Sequence, residues 1–434
     1  MSLYKYNRRM MIALVGVLLI SSCKKNYTDP NRATSDRVLT SASGLTGVSV
    51  GLQRVYSLGR GSSLYNVVTA NGFITKELKL LNQGNTAEYQ LSQGGTAVDG
   101  TNTMLAGLWT TSNKIIYDAD QVINAAPNLP DQGIASGLIG YVSIFKALSI
   151  GNMAMFWEQV PAEIGTNVSF ISRVDGFKKA ITVIDNALGV ITANPISSAF
   201  TTSIPAGIDI VNTLHALKAR YSLFAGDYAQ ALASANQVDL SKKSVMNFEA
   251  ASPNPIYDVA GSNFNVYQPV DSTMGLPVDL APDLSDKRVP FYMVLSGSSA
   301  SRFLMKGFAS NTTTAFPIYL PGEIILIKAE AYARQSPPDL ANALIELNKV
   351  VTKSPAADPF GVGADLPPIA GPLTQDEILE EIYRQRSIEL FMSGSRLEDM
   401  RRFNRPNSER TRNLMPYPFR ERDNNPNTPA DPPF

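Results

Sequence analysis

The chain has 434 residues, 44% of them hydrophobic, and its 38 basic and 38 acidic residues cancel to a formal net charge of zero. This balance lacks the strongly basic footprint of nucleic-acid-binding proteins, so we expect no nucleic acid among the partners. One cysteine and one histidine are present. They allow neither a disulfide framework nor a histidine- or cysteine-rich metal site, and we predict no cofactor, no metal and no catalytic residue.

The first 22 residues have the pattern of a signal peptide. Three basic residues precede an apolar run, Met10–Ile20, which is too short to span about 30 Å of hydrocarbon as a helix. Ile20-Ser21-Ser22-Cys23 then matches the site at which bacterial lipoprotein precursors are cut and acylated. We therefore predict a signal peptide over residues 1–22 and a lipid anchor on Cys23.

The remainder is predicted to be one anchored body. Residues 23–36 are polar and are expected to form a lipidated tether, and residues 37–434 a single ligand-binding body. We expect no second apolar stretch that approaches 18 residues, and therefore a body that lies outside the bilayer.

Helical periodicity dominates this body. Apolar residues recur at helical spacing in four regions, which predicts helix pairs at about 105–158, 175–240, 322–352 and 374–403.

The spacing Ala219-x6-Gly226-x-Tyr228-x2-Ala231 fits a tetratricopeptide hairpin, and Thr374 is a candidate N-cap with Glu377 three residues later. The prediction is a mainly α fold: tetratricopeptide-like helix pairs forming a scaffold (an α/α superhelix), with long irregular loops and a few short strands, the latter near Phe303 and Ile318.

Two segments interrupt the periodicity, at about 57–99 and 246–315, and both are rich in Gly, Ser, Asn and Thr with scattered aromatic residues. Long irregular segments in compact domains usually serve function, so we place the ligand side here. Aromatic rings pack on the apolar faces of sugars, and amides bond to hydroxyl groups or to peptides. The candidate ligand contacts are Tyr65, Asn66, Phe73, Tyr89, Phe264, Tyr267 and Tyr292, with Asn71 and Asn82 as flanking amides. Trp109 and Trp157 fall within helical stripes and are expected in the core.

Acidic side chains leave one enzymatic alternative open. A glycosidase needs two carboxylates about 5 to 10 Å apart, and Glu77, Glu88 and Asp99 lie in the first irregular segment. Loop acids of this kind are more often solvated than catalytic. The single histidine, His215, lies within a predicted helix and is expected to bond locally.

The C-terminal part carries the most distinctive motifs. They are Gly322-Glu323-Ile324-Ile325-Leu326-Ile327-Lys328-Ala329-Glu330-Ala331, the stretch Arg386 to Phe403, and Tyr417-Pro418 through Asn425-Pro426. Within the second motif, Arg386 and Glu389 stand three residues apart, as do Arg396 and Asp399, so local ion pairs are expected. Gly394 would permit the turn between two helices.

These motifs, the helix pairs and the Cys23 pattern resemble the SusD/RagB family of outer-membrane nutrient-binding lipoproteins. The resemblance implies a SusD-like fold and a receptor in the cell outer membrane, lipid-anchored and facing the exterior. It also implies a partner, a SusC-like TonB-dependent transporter, to which the receptor delivers an oligosaccharide or a peptide. Members of the family differ in the ligands that they bind, so no ligand-binding residue of the family is assigned to this chain. Lys24 and Lys25 follow the cysteine where acidic residues are frequent in surface-exposed lipoproteins.

Other functions stay open beside an oligosaccharide receptor. A peptide-binding RagB-like receptor is favoured slightly by the low tryptophan count of two. An envelope assembly factor and a carboxylate-dependent glycosidase are the remaining alternatives.

Overall fold

The structure, a computed structural model, describes residues 38–262, 265–297 and 302–434. The predicted signal peptide, Cys23 and its tether, and the candidate contact Phe264 lie outside these residues.

Helices account for most of the architecture. In chain order they are α1 (Ala42–Ser57), α2 (Ser63–Ile74), α3 (Thr86–Gln93), α4 (Thr103–Ala125), α5 (Gln132–Phe156), α6 (Arg173–Ala193), α7 (Ser198–Thr201), α8 (Ile210–Phe224), α9 (Tyr228–Ala235), α10 (Pro255–Ala260), α11 (Arg288–Tyr292), α12 (Pro321–Arg334), α13 (Leu340–Val351), α14 (Gln375–Glu389), α15 (Arg396–Arg402) and α16 (Phe419–Asn424).

The strands are short and pair only in twos among the described residues. They are β1 (Leu78–Leu80), β2 (Gln159–Pro161), β3 (Phe170–Ser172), β4 (Val245–Met246), β5 (Tyr267–Pro269), β6 (Met293–Leu295), β7 (Phe303–Met305) and β8 (Phe316–Pro317). The antiparallel pairs are β1–β5, β2–β3, β4–β8 and β6–β7. The prediction of a mainly α fold with a few short strands is confirmed.

Helix α5 forms the centre of the scaffold. It packs against α4 on one side and α6 and α8 on others, and nearly all of its side chains are buried. By length and composition α5 could also cross a membrane, although 83% of its most apolar window is buried within the protein. The expectation that no stretch after the leader would reach that length and hydropathy is therefore wrong. The apolar length serves internal packing, since helices cover α5 on several faces.

The hairpin of α8 and α9 follows the predicted tetratricopeptide-like pattern. Helix α8 ends at Phe224, and Gly226 takes a φ of +80°, a conformation that favours glycine. Asp227 then caps α9, because its Oδ1 accepts a hydrogen bond from the N–H of Gln230 at 2.9 Å. A single glycine and a capping residue thus reverse the chain between two helices.

The second hairpin, α12 with α13, shares a smaller hydrophobic cluster with α14. Its buried members include Leu326, Ala329, Leu347 and Ile382. The predicted N-terminus of α14 is also confirmed, because Thr374 and Glu377 form a reciprocal capping box.

The segment 57–99 was predicted to be irregular, and this prediction is wrong. It contains α2 and α3, and all 12 residues of α2 are buried. A helix buried on every side has no polar face, so its sequence lacks the apolar stripe from which helices are recognised. Its polar residues bond inside the protein; Asn71 Nδ2, for example, donates to the carbonyl oxygen of Gly394 at 2.8 Å.

The segment 246–315 is less regular, with short helices and strands separated by turns. The predicted strands near Phe303 and Ile318 are present as β7 and β8, although β8 ends one residue before Ile318.

In the C-terminal motif, Arg386 and Glu389 do not pair with each other but with residues further away in the chain. Glu389 accepts from Arg288 Nη1 at 3.2 Å and from Lys353 Nζ at 2.7 Å, and Arg386 pairs with Asp399. The prediction of pairs three residues apart on one helix is therefore wrong. Burial explains the difference: a charge in the core needs well-placed partners, which tertiary neighbours supply.

The C-terminal motif also contacts the first ligand-side segment, residues 57–99. Arg396 lies 3.8 Å from Glu77, at the N–O distance of a long ion pair, and both side chains are buried. Gly394, at a φ of +82°, makes the predicted turn between α14 and α15. Its carbonyl oxygen accepts the hydrogen bond from Asn71 Nδ2. Helix α2 and β1 are thereby positioned by residues more than 300 positions later in the chain.

Candidate functional site

The two segments that were expected on the ligand side lie next to each other. A short antiparallel ladder, β1–β5, joins them and sets Lys79 opposite Gln268. Just beyond the ladder, the backbone N–H groups of Leu81 and Asn82 both donate to the carbonyl oxygen of Val266, at 2.8 and 3.3 Å. The loop that follows β1 is therefore fixed against the second segment.

A hollow with a volume of about 400 Å³ opens beside this loop, where the N-terminal ends of α2, α3 and α4 converge. We call it the Arg60 hollow; its lining residues are Arg60, Gly61, Asn66, Asn85, Thr86, Ala87, Glu88, Thr103, Met104 and Gly107. Its volume lies within the range typical of small-molecule sites, about 300 to 1,000 Å³.

The polar groups of the hollow are fixed by a small network. Arg60 Nη2 donates to Glu88 Oε1 at 2.5 Å and to Asn85 Oδ1 at 2.7 Å. Glu88 Oε1 also accepts the hydroxyl of Tyr65 at 3.0 Å from the buried side. Partial burial lowers the pKa of the Arg60 guanidinium, whereas the hydrogen bond and the charge of Glu88 raise it. The effect of Glu88 is the larger, so the pKa lies above its ordinary value. Arg60 remains 44% exposed at its side chain, so it can still reach a ligand.

The backbone adds donors to this hollow. Asn85 precedes α3, but its side chain does not cap the helix, because its Oδ1 accepts a hydrogen bond from Arg60 Nη2 instead. The first N–H groups of α3 therefore have no side-chain acceptor, and they lie in the lining of the hollow. Such groups complement hydroxyl or carboxylate oxygens.

The three suspected catalytic acids all have structural roles in the described part of the chain. Glu88 is tied to Arg60 and Tyr65, and Glu77 accepts from the hydroxyl of Thr75 at 2.9 Å and lies near Arg396. Asp99 is exposed, and hydrogen bonds from Thr101 hold the pKa of its carboxyl below the usual value. Burial raises the pKa of Glu77, although Arg396 acts in the opposite direction. Each acid thus has a sufficient structural explanation.

Four of the aromatic candidate contacts are buried and offer no ring face to a ligand. They are Tyr65, Phe73, Tyr267 and Tyr292, none of them more than 5% exposed. Phe73 packs edge-on against Tyr267 with 5.6 Å between ring centroids, and the Tyr292 hydroxyl donates to the carbonyl oxygen of Glu389 at 2.5 Å. The predicted platform is therefore wrong for these four residues, because they hold the two segments to the core.

The remaining candidates divide by exposure. Tyr89 is 36% exposed on α3 and stays a predicted ligand contact. Asn66 is buried, yet it lines the Arg60 hollow while its Nδ2 donates to the carbonyl oxygen of Gly61 at 3.3 Å. Asn71 is fully buried, whereas Asn82 is exposed and accepts from the N–H of Gly84 within its loop.

The sequence analysis missed Arg60 and Asn85, and also Arg302, which precedes β7 and donates to Gln268 Oε1 next to the β1–β5 ladder. Arg60 and Asn85 sit in turns directly before α2 and α3, and only the recognition of those helices would have shown that their N-termini converge. Arg302 follows a short serine-rich stretch and carries no motif. Among the described residues, no group of three or more His, Cys, Asp or Glu side chains is placed to hold a metal ion.

The chain matches a family model described as the SusD family over residues 304–431. No curated protein matches the sequence. By fold, 72 chains of known structure match the protein. The predicted resemblance to the SusD/RagB family is confirmed by the family model over the C-terminal part of the chain, and the SusD-like fold by the structural matches.

Three of the structural matches show how far the likeness extends. A SusD superfamily protein from Parabacteroides distasonis has a TM-score of 0.70 at 15% identity, covering 93% of this chain and 100% of its own. A SusD homolog from Bacteroides thetaiotaomicron has a TM-score of 0.69 at 12% identity, covering 93% and 99%. A SusD-like carbohydrate binding protein from Bacteroides vulgatus has a TM-score of 0.63 at 14% identity, covering 83% of each chain.

Proposed function

We propose that this SusD-like chain is a cell-surface nutrient-binding lipoprotein that captures an oligosaccharide and delivers it to a SusC-like TonB-dependent transporter. The observation that carries the proposal is the Arg60 hollow, a concave polar site on a fold shared with a carbohydrate-binding relative. The hollow supplies a guanidinium group, amides and backbone N–H groups, which together suit the hydroxyl groups of a sugar.

Capture without covalent chemistry agrees with the state of the acids. Glu88 Oε1 lies 2.5 Å from Arg60 Nη2 and Glu77 Oε1 lies 3.8 Å from Arg396 Nη1, so an arginine faces each of these two carboxylates. The hollow therefore supports binding better than hydrolysis.

The lipid anchor and the transporter partner are proposed from the sequence. Cys23, outside the described residues, would hold the protein at the outer membrane through its acyl chains, since stable attachment needs more than one chain. A surface receptor of this kind delivers its ligand to a neighbouring transporter, and purification from membranes should recover a large β-barrel partner.

A peptide ligand is the second candidate. Trp109 and Trp157 are both in the core, so neither offers the broad ring face on which sugars stack well. Leu81, Val294 and Leu304 are exposed aliphatic residues on the ligand side, and these suit apolar peptide side chains.

Calorimetry decides between these ligands. We expect heat of binding with a pool of neutral and acidic oligosaccharides and none with a pool of tryptic peptides. Tyr89→Ala and Arg60→Ala should each weaken oligosaccharide binding. Tyr117→Ala, which removes a 52% exposed tyrosine from the middle of α4, is the matched control and should bind normally. Binding of peptides alone would establish the second candidate, and binding of neither pool would contradict both.

A further inference from the structure

The outward face of the β1–β5 ladder carries a positive charge. Side chains alternate across a strand, so Leu78 and Tyr267 face the core while Lys79 and its partner Gln268 point to the other face, where Lys79 is exposed and Gln268 is covered. Arg302, the residue before β7, approaches Gln268, and its Nη1 donates to Gln268 Oε1 at 3.2 Å. Cross-strand partners lie about 5 Å apart at Cβ, so Lys79 and Arg302 flank one amide.

The β6–β7 hairpin extends this face. Met293 and Met305 are opposite each other and buried, which turns the alternate positions Arg302, Leu304 and Lys306 outward. Arg302 and Lys306 are four residues apart along a nearly extended chain, about 13 Å. We call Lys79, Arg302 and Lys306 the basic ridge. The loop after β1 connects the ridge directly to the Arg60 hollow.

Acidic side chains do not neutralise the ridge. Within the described ranges, none of its three residues has a carboxylate oxygen within 4.0 Å. Arg302 instead donates to two neutral amides, those of Gln268 and Asn265. These bonds use two of the five N–H groups of a guanidinium.

Two buried arginines, Arg220 and Arg386, provide a contrast to Arg302. Arg220 donates to both carboxylate oxygens of Glu323, and Arg386 donates to both of Asp399. For Arg302, burial alone lowers the pKa, and no carboxylate counteracts it. The amides therefore orient a guanidinium whose charge is left without a counter-charge, at the edge of a ligand-side surface.

We propose that the basic ridge binds anionic substituents, carboxylate or sulfate, of an acidic oligosaccharide. This inference rests on the proposed function and narrows its ligand class. Arg302 contacts one anionic group with its remaining N–H groups, and Lys79 adds charge beside it. Lys306 reaches a second anionic group further along an extended ligand.

The experiment compares matched ligands on the intact protein. The probes are galacturonic acid oligosaccharides, the same oligosaccharides with methyl-esterified carboxyl groups, and sulfated chondroitin oligosaccharides, each titrated calorimetrically at low and high salt. We expect the esterified probe to bind at least about tenfold more weakly than the acidic probe of its pair, which corresponds to the loss of one charge-assisted contact. Higher salt should weaken the acidic probe more than the esterified one.

Variants locate the effect on the ridge. Arg302→Gln should lower the affinity for the acidic probe about tenfold and leave the esterified probe unchanged. Lys79→Gln and Lys306→Gln should cause smaller losses, and because both side chains are exposed, they test the ridge without disturbing the fold. Lys242→Gln removes an exposed positive charge on the loop after α9 and is the control that should change nothing.

Two results would overturn the inference while leaving the proposed function standing. One is equal or tighter binding of the esterified oligosaccharide. The other is tight binding of an acidic oligosaccharide that none of the ridge variants weakens. If only peptides bind, the inference and the oligosaccharide function both fail, and these results are distinguishable in one set of titrations.

Discussion

Arg386 and Asp399 form a two-pronged ion pair that joins α14 to α15 in the interior. Arg386 Nε lies 3.0 Å from Asp399 Oδ2, Nη2 lies 3.0 Å from Oδ1, and both side chains are at most 1% exposed. Asp399 Oδ1 also receives Arg402 at 2.8 Å. Asp399 is therefore the counter-charge of Arg386, and it shares Arg402 with Glu330, whose Oε2 lies 2.7 Å from Arg402 Nη2.

Asp399→Asn should destabilise the protein strongly. The substitution keeps the shape but leaves the buried Arg386 without its counter-charge, a loss of about 3 to 5 kcal/mol, whereas Arg402 keeps Glu330. Urea unfolding measures it directly. Asp118→Asn removes the partner of the exposed Lys114 and should change the free energy of unfolding by no more than about 0.5 kcal/mol. If the two substitutions changed the free energy of unfolding equally, the buried ion pair would contribute no more to stability than the surface pair.

The same carboxylate predicts a dependence on acid. Burial disfavours the ionised form, but Arg386 and Arg402 together outweigh burial and hold the pKa of Asp399 below its ordinary value of 3.8. A lowered pKa in the folded state means that this stabilisation is complete above the unfolded value and is lost as pH falls through the folded one. Between about pH 6 and pH 2, wild-type protein should therefore lose more unfolding free energy than Asp399→Asn. Parallel curves would contradict the assignment.

Gly394→Ala tests the turn that supports α2. At a φ of +82° an L side chain is strained, and a Cβ there would come within 2.6 Å of Val67 Cγ1. We expect a loss of about 1 to 3 kcal/mol in thermal or urea unfolding. Gly189→Ala is the matched control, since a Cβ at that exposed position in α6 meets nothing within 4 Å. It should stabilise the protein by up to about 1 kcal/mol, because alanine favours a helix.

Buried and exposed aromatic residues should separate stability from binding. Phe73→Leu should lower the free energy of unfolding by about 1 kcal/mol or more, since it loosens the contact with Tyr267 in the core. Tyr89→Ala should leave the free energy of unfolding within about 0.5 kcal/mol and reduce ligand affinity. Melting curves and calorimetry on both variants measure the two quantities. A loss of affinity with Phe73→Leu and none with Tyr89→Ala would contradict the prediction that Tyr89 contacts the ligand.

The sequence predicts elements whose signals are local. The hairpin around Gly226 and Asp227 and the capping box at Thr374 each depend on a few adjacent residues, and both are found as expected. Helix α2 was missed because it is buried on all sides, and a polar–apolar period appears only where one face meets water.

Partners that are distant in the chain could not be predicted in the same way. Arg386 and Asp399 were each assigned a neighbour three residues away, yet each bonds to the other across the Gly394 turn. The Arg60 hollow depends on three helix N-termini from separate parts of the chain. For the ligand-side aromatics, residue type alone did not distinguish Tyr89, which is exposed, from Tyr65, which supports Glu88 from beneath.

Helix α5 has a consequence for the protein before it is folded. During synthesis its neighbours are not yet in place, and a segment of 25 residues with this apolarity competes for lipid. Lys146 lies near the middle of the segment, where a charged side chain opposes membrane integration by about 2.5 to 3.5 kcal/mol. In the folded protein the same lysine reaches Asp120 on α4 at the surface. One side chain thus biases the nascent segment away from the bilayer and later joins the two central helices.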